Sequence, residues 1–270
     1  MRQGVFFPPF DGVADPHSLV ELGRTAEAAG WDGLFLWDHL LYAGGVTKIL
    51  DPYISLAAIA SATTTIQLGA MVTPLNRRRP QIVARQAVTL DLLSNGRLIL
   101  GFGIGDDGES GELSKFGEAT DAKERGAMLS EGLDVLTGLL SGEPLTHHGE
   151  RYRADDVTFQ PTAARAGGIP IWLAARWPNP APIRRAARYG GVFVIQMKDP
   201  RDVAALRERL RSEGTDLDHF DVVISGFVGD DPTPWARAGA DWFLSWIGPY
   251  NMNFAEVHEM IKEGPRSVAA

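Results

Sequence analysis

Short apolar runs alternate along this chain with longer segments in which apolar residues recur at helical spacing. Short runs of this kind, bounded by glycine or polar residues, are typical of buried strands in a parallel sheet. Eight strands are predicted on this basis: Gln3–Phe7, Gly33–Trp37, Ile66–Val72, Arg97–Phe102, Ile169–Ala174, Gly191–Met197, Asp221–Ser225 and Asp241–Ser245.

A helical pattern follows each predicted strand. In the first of these segments Leu19, Leu22 and Ala26 fall on one face, and Gly30 ends the helix. Helices are predicted over Pro16–Gly30, Pro52–Ala62, Gln81–Leu93, Asp121–Leu140, Pro180–Tyr189, Pro200–Ser212, Pro232–Ala238 and Phe254–Lys262. Regular alternation of strands and helices indicates the α/β class with a parallel sheet.

Eight strand–helix units predict a single (β/α)8 TIM barrel domain over residues 1–270, because a barrel of this type needs about 250 residues. Two segments, 105–120 and 141–168, are predicted to be insertion loops, the second of them partly extended. Ligand binding and simple packing or oligomer contacts explain such loops about equally well. The eighth unit is short, so closure of the barrel is the least supported part of the pattern.

Composition narrows the range of functions. The formal net charge is −8, and there is no cysteine. Nucleic acid is therefore not an expected partner, because a basic excess is needed to neutralise phosphates. Disulfides, thiolate catalysis and cysteine metal sites are excluded. The N-terminal apolar stretch is too short for a signal peptide and no run is long enough to span a membrane, so a cytoplasmic location with no membrane partner is expected.

Polar residues stand where the predicted strands end, and in a TIM barrel the loops at these ends build the active site. Asp38-His39 closes the second strand. Histidine titrates near neutral pH and exchanges protons with a substrate, while the adjacent carboxylate tunes the charge of the site. The alternative is a structural histidine at a capped strand end. The residues alone support both interpretations about equally, and the barrel context favours function.

The third and fourth strand ends differ in character. Residues 70–74 (Ala-Met-Val-Thr-Pro) precede three arginines at 77–79, which a solvated surface explains better than an anion-binding patch. At the fourth strand end, Gly103 and Gly105 allow a ligand to approach the backbone closely. The match of residues 103–108 to G-x-G-x-x-G is weak, because a dinucleotide fingerprint opens a helix directly after the first strand of its unit.

The fifth strand ends in Ala174-Ala175-Arg176-Trp177-Pro178. The backbone amides here, together with the Arg176 guanidinium, suit a phosphate group. Trp177 either stacks on a ring or simply packs. His147-His148 has no further histidine or carboxylate at ligand spacing, so no metal site is expected.

Four segments, together with Glu112, Phe116-Gly117 and Arg125, resemble the luciferase-like flavin-dependent oxidoreductases. This family includes bacterial luciferase-type monooxygenases and enzymes that use the deazaflavin F420. The segments are residues 28–40, 68–74, 93–105 and 168–175, so the resemblance runs through most of the chain. It implies a barrel with the flavin ring over the strand ends, and a non-proline cis peptide bond, by position Ala70-Met71, behind the ring.

The resemblance also implies the site residues. His39 and Asp38 correspond to the pair near the reactive ring in F420 enzymes and are expected to be catalytic. Asp106 lies near an acidic catalytic residue of some sugar-phosphate-oxidising members. Cofactor contacts are expected from Ala70, Met71, Thr73, Gly103, Gly105, Asp106, Ala174, Ala175 and Arg176. The chain lacks the Gly-Gly pair that many members carry after the fifth strand, so Arg176 would have to replace it at the phosphate.

The function implied is an oxidoreductase that uses F420 or FMN to transfer hydride to or from a small organic substrate, with F420 favoured by the Asp-His pair. An FMN-dependent monooxygenase with O2 and a separate flavin reductase is the alternative. Two further alternatives are a non-catalytic flavin-binding barrel and a flavin-free lyase or isomerase. A flavin or F420 reductase is the expected protein partner. A homodimer is also expected. Trp235 or Trp242 could lie in its interface, but core packing explains these two rings equally well.

Overall fold

Eight parallel strands close into a barrel in the computed structural model of this protein, which describes residues 1–250 and 253–268. The barrel strands are β1 (Arg2–Phe7), β2 (Gly33–Leu36), β3 (Gln67–Pro74), β4 (Leu98–Gly103), β7 (Ile171–Arg176), β8 (Gly191–Ile195), β9 (Asp221–Phe227) and β10 (Trp242–Trp246). Between β4 and β7, a separate antiparallel hairpin is formed by β5 (Leu145–His148) and β6 (Arg153–Val157). The order around the barrel is β1-β10-β9-β8-β7-β4-β3-β2, which confirms the predicted TIM barrel.

Helices follow the barrel strands as predicted. They are α1 (Pro16–Ala28), α2 (Pro52–Ala62), α3 (Pro80–Leu93), α4 (Ala122–Leu140), α5 (Pro180–Ala186), α6 (Asp202–Ser212), α7 (Thr233–Ala238) and α8 (Phe254–Lys262). Asp15, Asp51 and Asp121 each accept a backbone N–H at a helix start. The α5 helix ends before its predicted limit, because the chain tightens into a turn in which the Tyr189 N–H donates to the Ala186 carbonyl. Among the described residues no helix combines the length and apolar character needed to cross a membrane.

Large rings fill the barrel interior because glycines stand beside them on the same and on neighbouring strands. Phe35 is fully buried, and a Cβ atom at Gly4 or Gly33 would lie 2.8 or 2.6 Å from its ring. No side chain fits at those distances, so the two glycines make room for the ring. The rings of Trp172 and Trp242 lie 5.6 and 5.8 Å from Phe35, centroid to centroid. The interior beneath the open end of the barrel is therefore filled with apolar side chains.

The short eighth unit closes the barrel. Strand β10 pairs with both β1 and β9, and α8 packs on α1. The Trp31 indole N–H donates to the Ile261 carbonyl at 2.8 Å, which ties α8 to the start of β2. Trp242 is fully buried in β10, so core packing explains it and a dimer surface does not. The homodimer itself stays a prediction.

The 141–168 insertion contains the β5–β6 hairpin, which confirms that it is partly extended. Glu131 of α4 accepts the backbone N–H groups of Arg151 and Tyr152 at 2.9 and 2.8 Å. These bonds fasten the turn of the hairpin to a helix of the outer ring.

Glu27 of α1 links that helix to the start of β3. Its carboxylate accepts the backbone N–H groups of Thr64, Thr65 and Ile66. Burial raises the pKa of Glu27, but these hydrogen bonds outweigh burial and lower the pKa from 4.5 to about 2. A carboxyl whose pKa is depressed by folding contributes stability that is complete above the unfolded-state pKa and is lost as the pH falls toward the folded-state value.

We therefore expect Glu27→Gln to lower the free energy of unfolding by about 1–2 kcal/mol at neutral pH, a value discounted for the solvent exposure of this carboxylate. The difference from wild type should shrink as the pH falls below 4.5 toward about 2. Urea unfolding at a series of pH values measures this, with Glu21→Gln on the exposed side of α1 as the control. A difference that stays constant into acid would contradict the assignment.

Candidate active site

The open end of the barrel, where the strands finish, has an apolar floor. Its partly exposed side chains pack on the buried interior rings and are Trp37, Val72, Ala174, Ile195 and Trp246. Gly103 adjoins two of them, because a Cβ atom there would lie 2.9 Å from Val72 Cγ2 and 3.4 Å from Ala174 Cβ. Gly103 is itself buried, so the missing side chain makes room for Val72 and lets the floor pack closely on the end of β4.

His39 lies beside this floor, directly after β2. Its side chain is 25% exposed, and its Nδ1 atom lies 2.9 Å from Glu112 Oε1. The rings of Tyr42, Trp37 and Phe10 surround the imidazole, with centroids 5.0, 5.8 and 6.0 Å away. A carboxylate and three aromatic rings therefore hold the imidazole in one orientation while part of it still reaches solvent.

Glu112 determines which nitrogen of His39 is available. The carboxylate is buried, and it accepts from the Leu40 N–H at 2.9 Å and from Arg77 Nη1 at 2.8 Å. Burial raises the pKa of Glu112, but the hydrogen bond from His39 and the charge of Arg77 outweigh burial and keep the pKa below its usual value. An ionised carboxylate only accepts, so Nδ1 of His39 carries the hydrogen and Nε2 is left to exchange a proton with a ligand.

Asp38 contacts different residues from those that contact the adjacent His39. Its buried carboxylate accepts from Arg77 Nη2 at 2.7 Å and from Arg78 Nε at 2.9 Å. Asp38 and His39 follow the end of β2 at Leu36, and their side chains bond to different partners: Asp38 to the two arginines and His39 to Glu112. A catalytic role for Asp38, which stays a prediction, would have to act through these two arginines.

The expectation that the arginine run forms a solvated surface is wrong for two of its members. The Arg77 side chain is only 3% exposed and bridges Asp38 and Glu112. Arg78 bridges Asp38 and Asp51, the latter at 3.0 Å. Burial of a carboxylate is costly unless a charged partner is buried with it, so the two buried carboxylates draw the arginines inward.

The end of β3 places its predicted cofactor residues below the surface. Ala70, Met71 and Thr73 are buried, and the Thr73 hydroxyl lies 3.1 Å from the Tyr53 hydroxyl. The predicted position of the cis peptide bond is wrong by one residue, because the bond joins Met71 to Val72. Pairing with β4 stays regular through Ala70 and shifts only between Ala70 and Thr73, so the irregularity starts after Ala70.

The loop after β4 and the last residue of β7 bring a charged pair to the open end. Asp106 and Arg176 are both exposed, and their carboxylate and guanidinium lie 3.7 Å apart. Gly105 has a φ of 71°, a left-handed conformation that favours glycine. Ala174 belongs to the floor, whereas Ala175 is buried on the other face of β7. The cofactor roles predicted for these residues and for those of β3 stay predictions.

Sequence reasoning missed four members of this site. Val72 and Ile195 of the floor and the role of Glu112 were not singled out, although Glu112 contributes to the family resemblance, and Arg77 was assigned to a solvated surface. The Glu112 that holds His39 lies 73 positions further along the chain. Its one signal is an acidic residue inside a glycine-rich insertion, and no local spacing connects it to a histidine.

Comparison with known proteins points to one family. The sequence profile of the family described as luciferase-like monooxygenase matches residues 1–263. An F420-dependent glucose-6-phosphate dehydrogenase of Nakamurella multipartita is 32% identical over 80% of this chain and 64% of its own length. An F420-dependent hydroxymycolic acid dehydrogenase of Mycobacterium tuberculosis is 31% identical over 92% of this chain and 69% of its own. The chain thus spans about two thirds of the length of these relatives.

A solved structure agrees with the fold. The F420-dependent tetrahydromethanopterin reductase of Methanopyrus kandleri has a TM-score of 0.76 with this chain at 18% identity, over 97% of both chains. At that identity the likeness shows the barrel alone. The profile match covers nearly the whole chain and agrees with the motifs at the strand ends, so this chain belongs to the luciferase-like monooxygenase family.

Proposed function

We propose that this protein is an F420-dependent oxidoreductase that transfers hydride to or from a small organic substrate. One observation carries the proposal: buried Glu112 holds His39 beside an apolar floor, and within the described residues Nε2 of His39 makes no hydrogen bond. The two sequence relatives named above are F420-dependent dehydrogenases, which supports the same cofactor here.

The residues of the open end fit a flat ring that carries a charged tail. Val72, Ala174 and Ile195 offer an apolar surface to the ring, and Gly103 lets Val72 pack closely on the end of β4. Arg176 is exposed at the end of β7, where its guanidinium suits a phosphate of the tail, with Asp106 as its present counter-ion. We assign these residues to cofactor binding.

When bound, the deazaflavin supplies a two-electron hydride acceptor or donor. The protein's own task is to manage the proton. In the oxidation of an alcohol the C–H electron pair and hydrogen leave as hydride, and the hydroxyl proton passes to Nε2 of His39; reduction returns it. Ionised Glu112 stabilises the imidazolium, and Arg77 holds Glu112 in place. Glu112 is a positioning residue in this scheme.

The proposal also covers the location, oligomeric state and protein partner. We propose a cytoplasmic protein of one domain over residues 1–270 that works as a homodimer with a separate F420 or flavin reductase. Ile54 and Ile82 support the dimer, because these exposed apolar side chains lie in the first turns of the adjacent helices α2 and α3.

Anaerobic titration of the purified protein with F420 and with FMN, followed by cofactor fluorescence, tests the cofactor assignment. We expect F420 to bind at least tenfold more tightly, which corresponds to about 1.4 kcal/mol. Tight binding of FMN alone would instead make the protein a candidate monooxygenase that needs a flavin reductase. Binding of neither cofactor would overturn the proposed function.

Replacement of the proton-exchanging group tests the role of His39. We expect His39→Ala to lower kcat by about two orders of magnitude or more while the Kd for F420 changes less than about threefold, because general acid–base catalysis contributes on that scale. Stopped-flow and steady-state kinetics measure both quantities. The matched control is His219→Ala, an exposed histidine in the turn before β9. Unchanged turnover in His39→Ala would refute the role.

Neutralising the positioning carboxylate tests the hydrogen bond behind His39. We expect Glu112→Gln to lower kcat about 10- to 100-fold with little change in KM, because a neutral amide does not stabilise an imidazolium as a carboxylate does. Removing one partner of a buried ion pair should also lower the free energy of unfolding by about 3 kcal/mol. Assays are run where the variant is folded by circular dichroism, with Glu109→Gln on the exposed part of the same loop as control. A normal kcat there would contradict the assignment.

A further inference from the structure

Aromatic side chains form an arc over one half of the open end. The members of this aromatic arc are Phe10, Trp37, Tyr42, Phe227, Trp246 and Tyr250. Trp246 stacks on Trp37 at 6.0 Å and on Phe227 at 4.6 Å between centroids. The arc therefore runs without a break from the end of β9 to the loop after β2.

The group proposed to exchange protons lies inside this arc. Three of its rings, those of Phe10, Trp37 and Tyr42, contact the imidazole of His39 within 6.0 Å of its centroid. A substrate atom that reaches Nε2 of His39 must therefore have aromatic surfaces beside it. Phe227 is 57% exposed although it is apolar, so its outer face is open to a ligand.

The half of the open end that carries the aromatic arc differs in charge from the other half. All six side chains of the arc are neutral at pH 7. The arginines next to His39 are committed to carboxylates, Arg77 to Asp38 and Glu112, and Arg78 to Asp38 and Asp51. Exposed cationic side chains stand on the other half, where Arg176 ends β7 and Lys198 follows β8.

The arc also contains two unused donors. The indole Nε1 atoms of Trp37 and Trp246 are buried and have no hydrogen-bond partner among the described residues. Both indole N–H groups are neutral and lie beneath the surface, so they bring no charge to the arc that would favour an ionic substrate. A phosphate dianion would lose its hydration among these rings without gaining a free cation, which is strongly unfavourable.

We propose that the substrate is an uncharged alcohol or carbonyl compound whose reacting carbon carries an aromatic or other bulky apolar group, and that the aromatic arc binds that group. The inference rests on the proposed function, because it takes His39 as the group that meets the reacting oxygen. It separates this protein from a sugar-phosphate dehydrogenase, although one of the sequence relatives named above acts on glucose 6-phosphate.

Calorimetric titration with acetophenone, an uncharged aromatic ketone, tests the inference on the protein with and without saturating F420. We expect saturable binding in both forms, and a loss of affinity of about tenfold in Phe227→Ala, because stacked aromatic contacts contribute on that scale. Phe116→Ala is the matched control: Phe116 is 58% exposed, close to the 57% of Phe227, but lies outside the arc. Its affinity should stay within about twofold of wild type.

Three results would overturn the inference. The first is tighter binding of glucose 6-phosphate than of acetophenone, and the second is an equal effect of Phe227→Ala and Phe116→Ala. The third is displacement of acetophenone by saturating F420, which would make the arc the binding site of the cofactor ring. Failure of the proposed function looks different. If F420 does not bind but acetophenone still binds the cofactor-free protein through Phe227, the arc is confirmed as an aromatic-ketone site and the cofactor assignment alone fails.

Discussion

The candidate active site depends on one group of buried ion pairs. Arg77 lies between the carboxylates of Asp38 and Glu112, with nitrogen–oxygen distances of 2.7 and 2.8 Å. Charges in a low-dielectric interior are tolerated only when each has a partner and further hydrogen bonds, so Arg77 and the two carboxylates depend on one another for their buried positions. This constraint joins the end of β2, the end of β3 and the loop after β4, which are distant in sequence.

The same constraint gives His39 its geometry. Because Arg77 and the Leu40 N–H hold Glu112 from one side, its Oε1 atom presents a fixed acceptor to Nδ1 of the imidazole. The aromatic neighbours then restrict ring rotation without competing for hydrogen bonds. A histidine on a loop thereby gains the rigidity that a strand or helix would provide, and the loop after β4 supplies the carboxylate that holds it.

The fold could be predicted from the sequence, whereas the ion pairs and hydrogen bonds that connect the site residues could not. Eight apolar runs and the helical spacing between them are local signals, and the barrel follows from their alternation. The local sequence pattern does not predict which residue will pair with a given charged side chain. The Arg77 side chain is buried because of Asp38 and Glu112, 39 and 35 positions away, and arginine runs without such partners stay in solvent.

The formal charge of these ion-paired residues relates them to the proton proposed to move at His39. Arg77 and Arg78 together with Asp38, Asp51 and Glu112 carry a formal charge of −1, and the missing positive charge is the one that His39 acquires when it takes a proton. The protonated state completes a neutral, hydrogen-bonded set, whereas the neutral imidazole leaves one carboxylate in excess. Glu112 therefore offers its charge to an imidazolium at His39, which is the arrangement that the proposed proton exchange requires.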